Sequence, residues 1–405
     1  MANTFNVSTL VSKQLVQSLH AKSNLVPTVN KAYSKDFTQK KYTPGTTVTI
    51  NIEHQPTVTS GRVANVQDVQ DRTTSVTIAQ YNAAESFTSI ERGYSLDDPQ
   101  DVRRYADKMA LRLIREMEVT GFQQFRDSIG QNVGTPGVDP GALRTWAEGR
   151  AKITDALAPQ RDYYAAANPM AMVALTDSLK GATQPGAEIS NQYLRGRMRK
   201  AAGMNFYESQ SIARQTAGTT TDFAGAMAST VATEGSTTLS VDNLGTGTIT
   251  AGTKLTVAAV NDVDPETKST LSYAKQFTVT TDATIVGNAA TLTVSPAMYS
   301  SASPHQNIDA FPQAAAVVTI VNSGSASTVD AQNVIYDRDA ISLVSVPLPA
   351  ARGGKHHSFA NYEGIQIRVG VGSWDAVNDD QILRVDAVWG WTTLREDHAC
   401  IVWGD

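Results

Sequence analysis

The chain has 405 residues, a length that fits two or three domains with cores large enough to need no covalent staples. Its 34 Lys and Arg against 39 Asp and Glu give a net charge of −5, which argues against a dedicated nucleic-acid binder. The lone cysteine, Cys400, excludes a disulfide scaffold and any multi-thiolate zinc site. The longest apolar runs, such as 314–318, are far too short for a membrane span, and no basic leader with an apolar stretch opens the chain. A soluble, cytoplasmic, globular protein without a membrane partner is expected.

Charge is placed unevenly along the chain. No acidic residue precedes Asp36, whereas Lys13, Lys22, Lys31 and Lys35 do. Residues 9–21 have helical spacing through Leu10, Lys13, Val16 and Leu19, ended before Pro27. Strands alternate over Val48–Ile52 and Ser75–Tyr81. Between them runs the polar stretch HQPTVTSGRVANVQDVQDRTT, broken by Pro56 and Gly61, so a long β-hairpin arm is expected, of a length that is usually functional. The best helix covers Asp101–Ser128, with Asp98 as N-cap, Pro99 at the first position and one face built from Val102, Tyr105, Ala106, Met109, Leu113, Met117 and Phe125. After the Gly/Pro loop 130–141 come a helix over Leu143–Leu157 with Trp146, Ile153 and Leu157 facing in, a strand in DYYAAANP, a helix over Met170–Leu179, and a helix over Tyr193–Ala202 closed by Gly203.

The segment 222–328 differs. It holds eight acids against the three lysines Lys254, Lys268 and Lys275, no arginine and no tryptophan, and it carries the whole net charge. A break this sharp marks a separate domain. TTLSVD, KLTVAAV, KQFTVTTD and ATLTVSP alternate as short strands, the pattern of a small antiparallel barrel or sandwich with Leu239, Val241, Leu255, Val257, Phe277, Val279, Leu292 and Val294 inside. Strands return in VIYDR, ISLVSVPLP, EGIQIRVG, ILRVDAVWGW and ACIVWG.

No catalytic constellation is visible: there is no GxSxG, no Walker sequence and no HExxH, and the carboxylates are scattered. His356 and His357 after Gly353–Gly354 read as a flexible surface loop, because a metal site needs more convergent ligands. His398 and Cys400 share the face of a half-buried strand, and two ligands make no site. Asp262, Asp264 and Glu266 start like a calcium loop, but Thr267 stands at the loop glycine and Tyr273 at the bidentate glutamate, so a solvated turn is expected. The arm lysines either solvate a helix face or meet a polyanion. No enzyme and no cofactor or metal are expected.

The order of these parts resembles the major capsid proteins of tailed double-stranded-DNA bacteriophages, of the Hong Kong 97-type fold, and in particular the coat proteins of short-tailed Salmonella phages with a telokin-like insertion domain. TVTINIEHQPTVTSG and VTIAQYNAAESFTSIERGYSLDD are similar to the E-loop and the strand leading to the spine helix. RDYYAAANPMAMVALTDSL is similar to the A-domain strand and helix, GTKLTVAAV and KQFTVTTD to insertion-domain strands, and AISLVSVPLPA and LRVDAVWGWTTLREDHACIVWG to the C-terminal strands. The resemblance implies an α+β capsid fold divided into an N-terminal arm (1–40), E-loop hairpin (41–92), P-domain with spine helix (93–141), first part of the A-domain (142–221), inserted β-barrel (222–328), remainder of the A-domain (329–372) and C-terminal strands returning to the P-domain (373–405).

It also implies assembly into hexamers and pentamers of an icosahedral shell, with a scaffolding protein, a portal and packaged double-stranded DNA as partners. The shell would form in the host cytoplasm and locate to the virion. Glu53, His54, Arg62, Asp68, Asp71 and Arg72 of the E-loop would meet neighbouring subunits, and Lys13, Lys22, Lys31 and Lys35 would face the interior. No lysine lies between Lys41 and Lys108, so the hairpin offers none for cross-linking, and its start near residue 44 leaves no room for a cleaved scaffolding region. Non-covalent assembly with a separate scaffold is therefore expected. The rival from another class is a surface adhesion or host-binding protein, since Ser/Thr-rich β domains are common there.

Overall fold

The computed structural model describes residues 23–31, 47–52, 60, 62, 72–88, 99–178, 198–321, 326–348, 356–372, 375 and 377–404. In chain order its first strands are β1 (Thr47–Ile52), β2 (Arg72–Thr77) and β3 (Ala79–Thr88), followed by helix α1 (Pro99–Ser128). Next come β4 (Asn132–Val133), α2 (Leu143–Asp155), β5 (Tyr163–Ala167), α3 (Pro169–Asp177), β6 (Lys200–Ala201), β7 (Met204–Glu208) and β8 (Arg214–Thr216). A run of strands follows: β9 (Ala224–Met227), β10 (Ser236–Asp242), β11 (Gly247–Ile249), β12 (Lys254–Val263), β13 (Thr270–Val279), β14 (Ala283–Ile285), β15 (Ala289–Met298) and β16 (Val317–Val321). The chain closes with β17 (Val329–Ala331), β18 (Asn333–Tyr336), β19 (Ile341–Ser345), β20 (His356–Tyr362), β21 (Ile365–Val371), β22 (Asp380–Thr393) and β23 (Ala399–Val402). Helix α1 starts at Pro99, whose missing N–H is no loss in a first turn, and its 30 residues reach about 45 Å.

The described residues fall into two compact units. One comprises those within 1–50, 75–121 and 341–392; the other comprises those within 51–74, 122–340 and 393–405. In the first unit β22 is the central strand of a five-stranded sheet, flanked by β21 with β20 beyond it and by β19, and paired with β3 from Asp380↔Thr88 to Trp389↔Ala79. Val385, Ala387, Val388 and Trp389 are buried, and so are Met109, Leu113, Ile114 and Met117 on α1. Trp391 donates its indole proton to Met117 O at 3.1 Å, which fixes the strand against the helix. The approach is close: a side chain at Gly121 would lie within 2.8 Å of Leu25 and Trp391.

In the second unit a six-stranded sheet runs in the order β4-β23-β18-β5-β7-β6, with β5–β7 and β23–β4 parallel. Trp146 and Ile153 of α2 and Met172 and Leu175 of α3 pack with Tyr163, Phe206, Ile335, Cys400 and Val402 in one core. Asn168 starts α3 by accepting a hydrogen bond from Ala171 N at 2.6 Å, with Pro169 next, which is why a strand can turn straight into a helix there.

The acidic segment forms a closed barrel in the order β10-β15-β13-β12-β16-β9. Leu239, Val241, Leu255, Val257, Phe277, Val279, Leu292 and Val294 are all within 1 % of full burial, as period-two alternation requires of a closed sheet. Strands β8 and β17, which lead into and out of it, pair through Thr216↔Val329, and Ala217 N donates to Thr328 O at 2.8 Å.

Several expectations are corrected. The stretch Ser75–Tyr81 is two strands, because the chain changes partners at Ile78, from β1 to β22. Lys200 and Ala201 are in a strand, not a helix: positive φ at Ala202 and Gly203 makes the tight turn that pairs them with Asn205 and Met204. Leu157 does not face in; it lies past the end of α2 at φ 57° and is 42 % exposed. His356 and His357 belong to β20, opposite Val371 and Gly370, and not to a loop. His398 is the last residue of a 3-10 turn, Glu396–His398, and only Cys400 is in a strand, which is fully buried. The expected helix over 9–21 and the N-cap Asp98 lie outside the described residues.

Candidate assembly surfaces

The hairpin strands β1 and β2 pair only with each other among the described strands. Of the E-loop residues expected to meet neighbours, Arg62 is exposed and Arg72 begins β2, while Glu53, His54, Asp68 and Asp71 lie outside the described residues.

The segment 23–31 is fastened by one carboxylate. Glu118 on α1 is 5 % exposed, and its Oε1 accepts from Ser23 Oγ at 3.0 Å, Asn24 N at 2.7 Å and Leu25 N at 3.2 Å. Leu25, Val26 and Val29 are fully buried, and Leu343 N donates to Asn30 O at 2.9 Å. At the end of this strap Lys31 Nζ meets Glu363 Oε2 and Glu363 O, both at 3.1 Å, in the turn between β20 and β21. Lys13, Lys22 and Lys35 lie outside the described residues.

A buried carboxylate also organises the sheet of the first unit. Asp386, 2 % exposed, receives Arg368 Nη2 at 2.7 Å from β21, Arg384 Nε at 2.7 Å from its own strand and Gln80 Nε2 at 3.3 Å from β3. Two guanidinium groups compensate its desolvation, and three strands are locked in register.

The barrel is joined to its unit through two buried lysines. Lys254 Nζ donates to Arg126 O at 2.7 Å, Ile129 O at 2.6 Å and Thr278 Oγ1 at 2.8 Å; burial pushes its pKa down to about 7. Lys275 Nζ lies 3.0 Å from Asp262 Oδ1 and 2.9 Å from Asp397 Oδ1, linking β13, β12 and the turn before β23. Burial works against the Lys275 ammonium, but the two carboxylates more than offset it and hold its pKa above the usual lysine value. Asp262 is thus no part of a solvated turn; burial raises its pKa and Lys275 opposes the rise. The turn itself is built by Asp264, whose Oδ1 accepts from Glu266 N and Thr267 N at 2.8 and 2.9 Å. Gln276 completes the joint, its Oε1 accepting from Asn132 N at 2.8 Å and Lys152 Nζ at 2.9 Å.

This changes the surface charge of the barrel. Two of its three lysines are internal, while Asp222, Glu234, Asp242, Glu266 and Asp282 are exposed. Sequence reading missed these lysines as structural groups, because an isolated Lys in an alternating strand gives no signal beyond its place on the core-facing register. Burial pushes the Cys400 thiol up to about 12, and among the described residues no three His, Cys, Asp or Glu side chains are placed to hold a metal ion. Nor is any helix among them long and apolar enough to cross a membrane.

A spine helix beside a sheet with a strapped N-terminal segment, and a second unit carrying a closed barrel, define a structural protein of the α+β Hong Kong 97-type class, a major capsid protein of tailed bacteriophages. The chain belongs to the P22 coat protein family, whose model, described as P22 coat protein - gene protein 5, matches residues 1–401. It is a coat protein, a component of the virion. Among solved structures it is similar to Mycobacterium phage Che8 (12 % identity, 92 % of this chain and 88 % of that one, TM-score 0.48). It is also similar to the capsid of Ralstonia phage GP4 (9 % identity, 89 % and 84 %, TM-score 0.44). The CUS-3 coat protein I-domain matches at 22 % identity over 25 % of this chain and 97 % of that one, with a TM-score of 0.20. No curated protein sequence matches the chain significantly.

Proposed function

We propose that many copies of the chain assemble, without covalent cross-links, into hexamers and pentamers of an icosahedral shell around double-stranded DNA. A separate scaffolding protein guides assembly around a portal in the host cytoplasm. The observation that carries this reading is the β1–β2 ribbon. A two-stranded hairpin is marginal in water on its own, and this one has no further partner strand among those described, so a neighbouring subunit supplies the missing surface. Its tip bears Glu53, His54, Arg62, Asp68, Asp71 and Arg72, charges of both signs suited to a heterologous contact, and no lysine for an isopeptide bond. Lys13, Lys22 and Lys35 face the interior and meet scaffold or DNA. Lys31 belongs to the same interior-facing arm and also pairs with Glu363. The segment 222–328 is a separate inserted domain, and its acidic exposed face is placed away from packaged DNA, where like charges would repel.

Deletion of residues 53–72 tests the reading. The shortened chain should yield folded subunits that sediment as monomers when mixed with scaffold. Normal shells, seen by electron microscopy, would end it. Discrete monomers or trimers from the intact chain, with no shells under any condition, would favour an adhesion protein instead.

A further inference from the structure

At the neck of the barrel, where β8 and β17 pair, lies a cavity of about 20 Å3 whose lining includes Gln215, Thr220, Thr253, Lys254, Asp330, Gln332 and Trp403. Most polar groups there are already spent. Lys254 uses all three of its N–H bonds on Arg126 O, Ile129 O and Thr278 Oγ1. The Gln215 amide, oriented by its neighbours, donates to Gly252 O and accepts from Thr253 N, both at 2.7 Å. The hydroxyl of Thr220 donates to Leu244 O at 3.0 Å and that of Thr253 to Thr250 O at 2.7 Å. Three buried atoms make no hydrogen bond within the protein: Asp330 Oδ1, Gln332 Oε1 and Trp403 Nε1. Their residues are 5 %, 3 % and 2 % exposed.

We propose that the neck cavity is a binding site for a single water molecule, which accepts the Trp403 indole proton and donates its own two protons to Asp330 and Gln332. The chemistry of the three atoms selects the ligand. Two acceptors and one donor require a guest with two donors and a lone pair. A metal cation has no lone pair for the indole N–H and would face the Lys254 ammonium. An anion would lie against the Asp330 and Gln332 oxygens. Water satisfies all three groups, and the cavity has the room, since one water needs about 10–15 Å3 by the same measure. Burial raises the pKa of Asp330, so its carboxylate is a group that a donor stabilises. A proton carried by Asp330 itself and shared with Gln332 would still leave Trp403 unpaired. The bound water thus joins three chain segments at the neck: β17, the Gln332 link to β18, and Trp403 just past β23.

The experiment uses the full-length, unassembled subunit labelled with 15N-tryptophan, which has five indole N–H groups. The Trp403 resonance is assigned with Trp403→Phe or, if that variant does not fold, by elimination using Phe variants of the other four. Cross-relaxation between that proton and water is measured in the laboratory and rotating frames. The site predicts a water cross-peak with the sign of a water held longer than nanoseconds. A protected indole proton with no water cross-peak overturns it. So does a through-bond coupling to a protein acceptor, and so does exchange with bulk water faster than cross-relaxation.

Discussion

Lys254 Nζ lies 2.6 Å from the carbonyl oxygen of Ile129, one residue beyond the end of α1. With its 2.7 Å bond to Arg126 O, the ammonium caps the C-terminus of the longest helix from a strand of the barrel. A helix leaves its last carbonyls without internal partners, and a cation placed there satisfies them and opposes the negative end of the helix dipole. The glycine that follows serves a different purpose: a Cβ at Gly130 would collide with the Gln276 backbone, so the barrel can approach only because the side chain is missing.

Replacing this cap should cost stability with a distinctive pH dependence. Lys254→Met keeps the length of the side chain but leaves two carbonyls unsatisfied, a loss of roughly 1–3 kcal/mol. Burial holds the folded pKa near 7, below the unfolded value of about 10.4, so the unfolded chain binds the extra proton in between. This group's contribution is therefore full above the unfolded value and is lost as pH falls toward 7, with no further change below. Denaturant melts between pH 7 and 10 should show stability rising with pH in the parent and a flatter curve in the variant. Equal slopes would mean that Lys254 stays charged throughout.

Lys275→Met should behave differently, because it strands a buried carboxylate. Removing one partner of a buried ion pair costs about 3–5 kcal/mol. Asp262 would be left without its counter-ion, and burial would raise its pKa further above the unfolded value. A folded pKa above the unfolded one gives stability that is full at low pH and lost as pH rises through the folded value. The deficit of the variant should therefore shrink from pH 7 to pH 5 in thermal melts. Adding Asp262→Asn should recover much of it at pH 7; a double variant as weak as the single one would refute the pairing.

The barrel core could be read from the sequence because period-two alternation in a closed sheet sends every second side chain inward, and Leu239 through Val294 obey it. Helix α1 was legible for the corresponding reason at helical spacing, through Met109, Leu113, Met117 and Phe125. What was hidden depends on contacts between distant segments. Strands β9 and β16, which close the barrel, are short and start in Ala/Gly-rich or exposed sequence, so only their partners define them. Lys254, Lys275 and Glu118 look like surface charges until the chain brings up Ile129, Asp397 and Ser23. The strap was missed altogether, since nothing in SNLVPTVNK announces that its apolar residues are fully buried.

Glu118 gives that strap a single point of release. One oxygen accepts three hydrogen bonds, two of them from backbone N–H groups of Asn24 and Leu25. Bonds to a charged acceptor contribute about 1.5–3 kcal/mol. Glu118→Ala should unfasten residues 23–29 while the sheet of the first unit stays intact, and Glu118→Gln, which keeps one acceptor oxygen but loses the charge, should weaken the attachment by less. Amide hydrogen exchange reads this directly: protection should fall at Asn24 and Leu25 and persist at Val385 and Val388. Unchanged protection at Leu25 in the alanine variant would show that Leu25, Val26 and Val29 hold the strap by apolar burial alone.

The segment 222–328 should fold when expressed alone. The barrel closes on itself, its core is drawn from its own strands, and the chain enters and leaves it through the paired strands β8 and β17. At about 107 residues it has enough buried surface to be stable without staples. Among the polar groups that lose partners on excision are three side chains of the joint: Lys254 leaves Arg126 and Ile129, Lys275 leaves Asp397, and Gln276 leaves Asn132 and Lys152. All three then face water, which replaces those bonds without the penalty of an unsatisfied buried group. The Lys254 pKa should accordingly return from about 7 toward the unperturbed value near 10.4, which NMR titration of its Nζ and Cε can follow. The isolated barrel carries its net negative charge on a small surface, so added salt should raise its melting temperature by screening self-repulsion. Dispersed amide resonances, a cooperative melt and a lysine titrating near 10 are the expected results. A disordered spectrum would show that the barrel needs the sheet of its unit to fold, and a folded barrel whose Lys254 still titrates near 7 would show that the low pKa arises within the barrel and not at the joint.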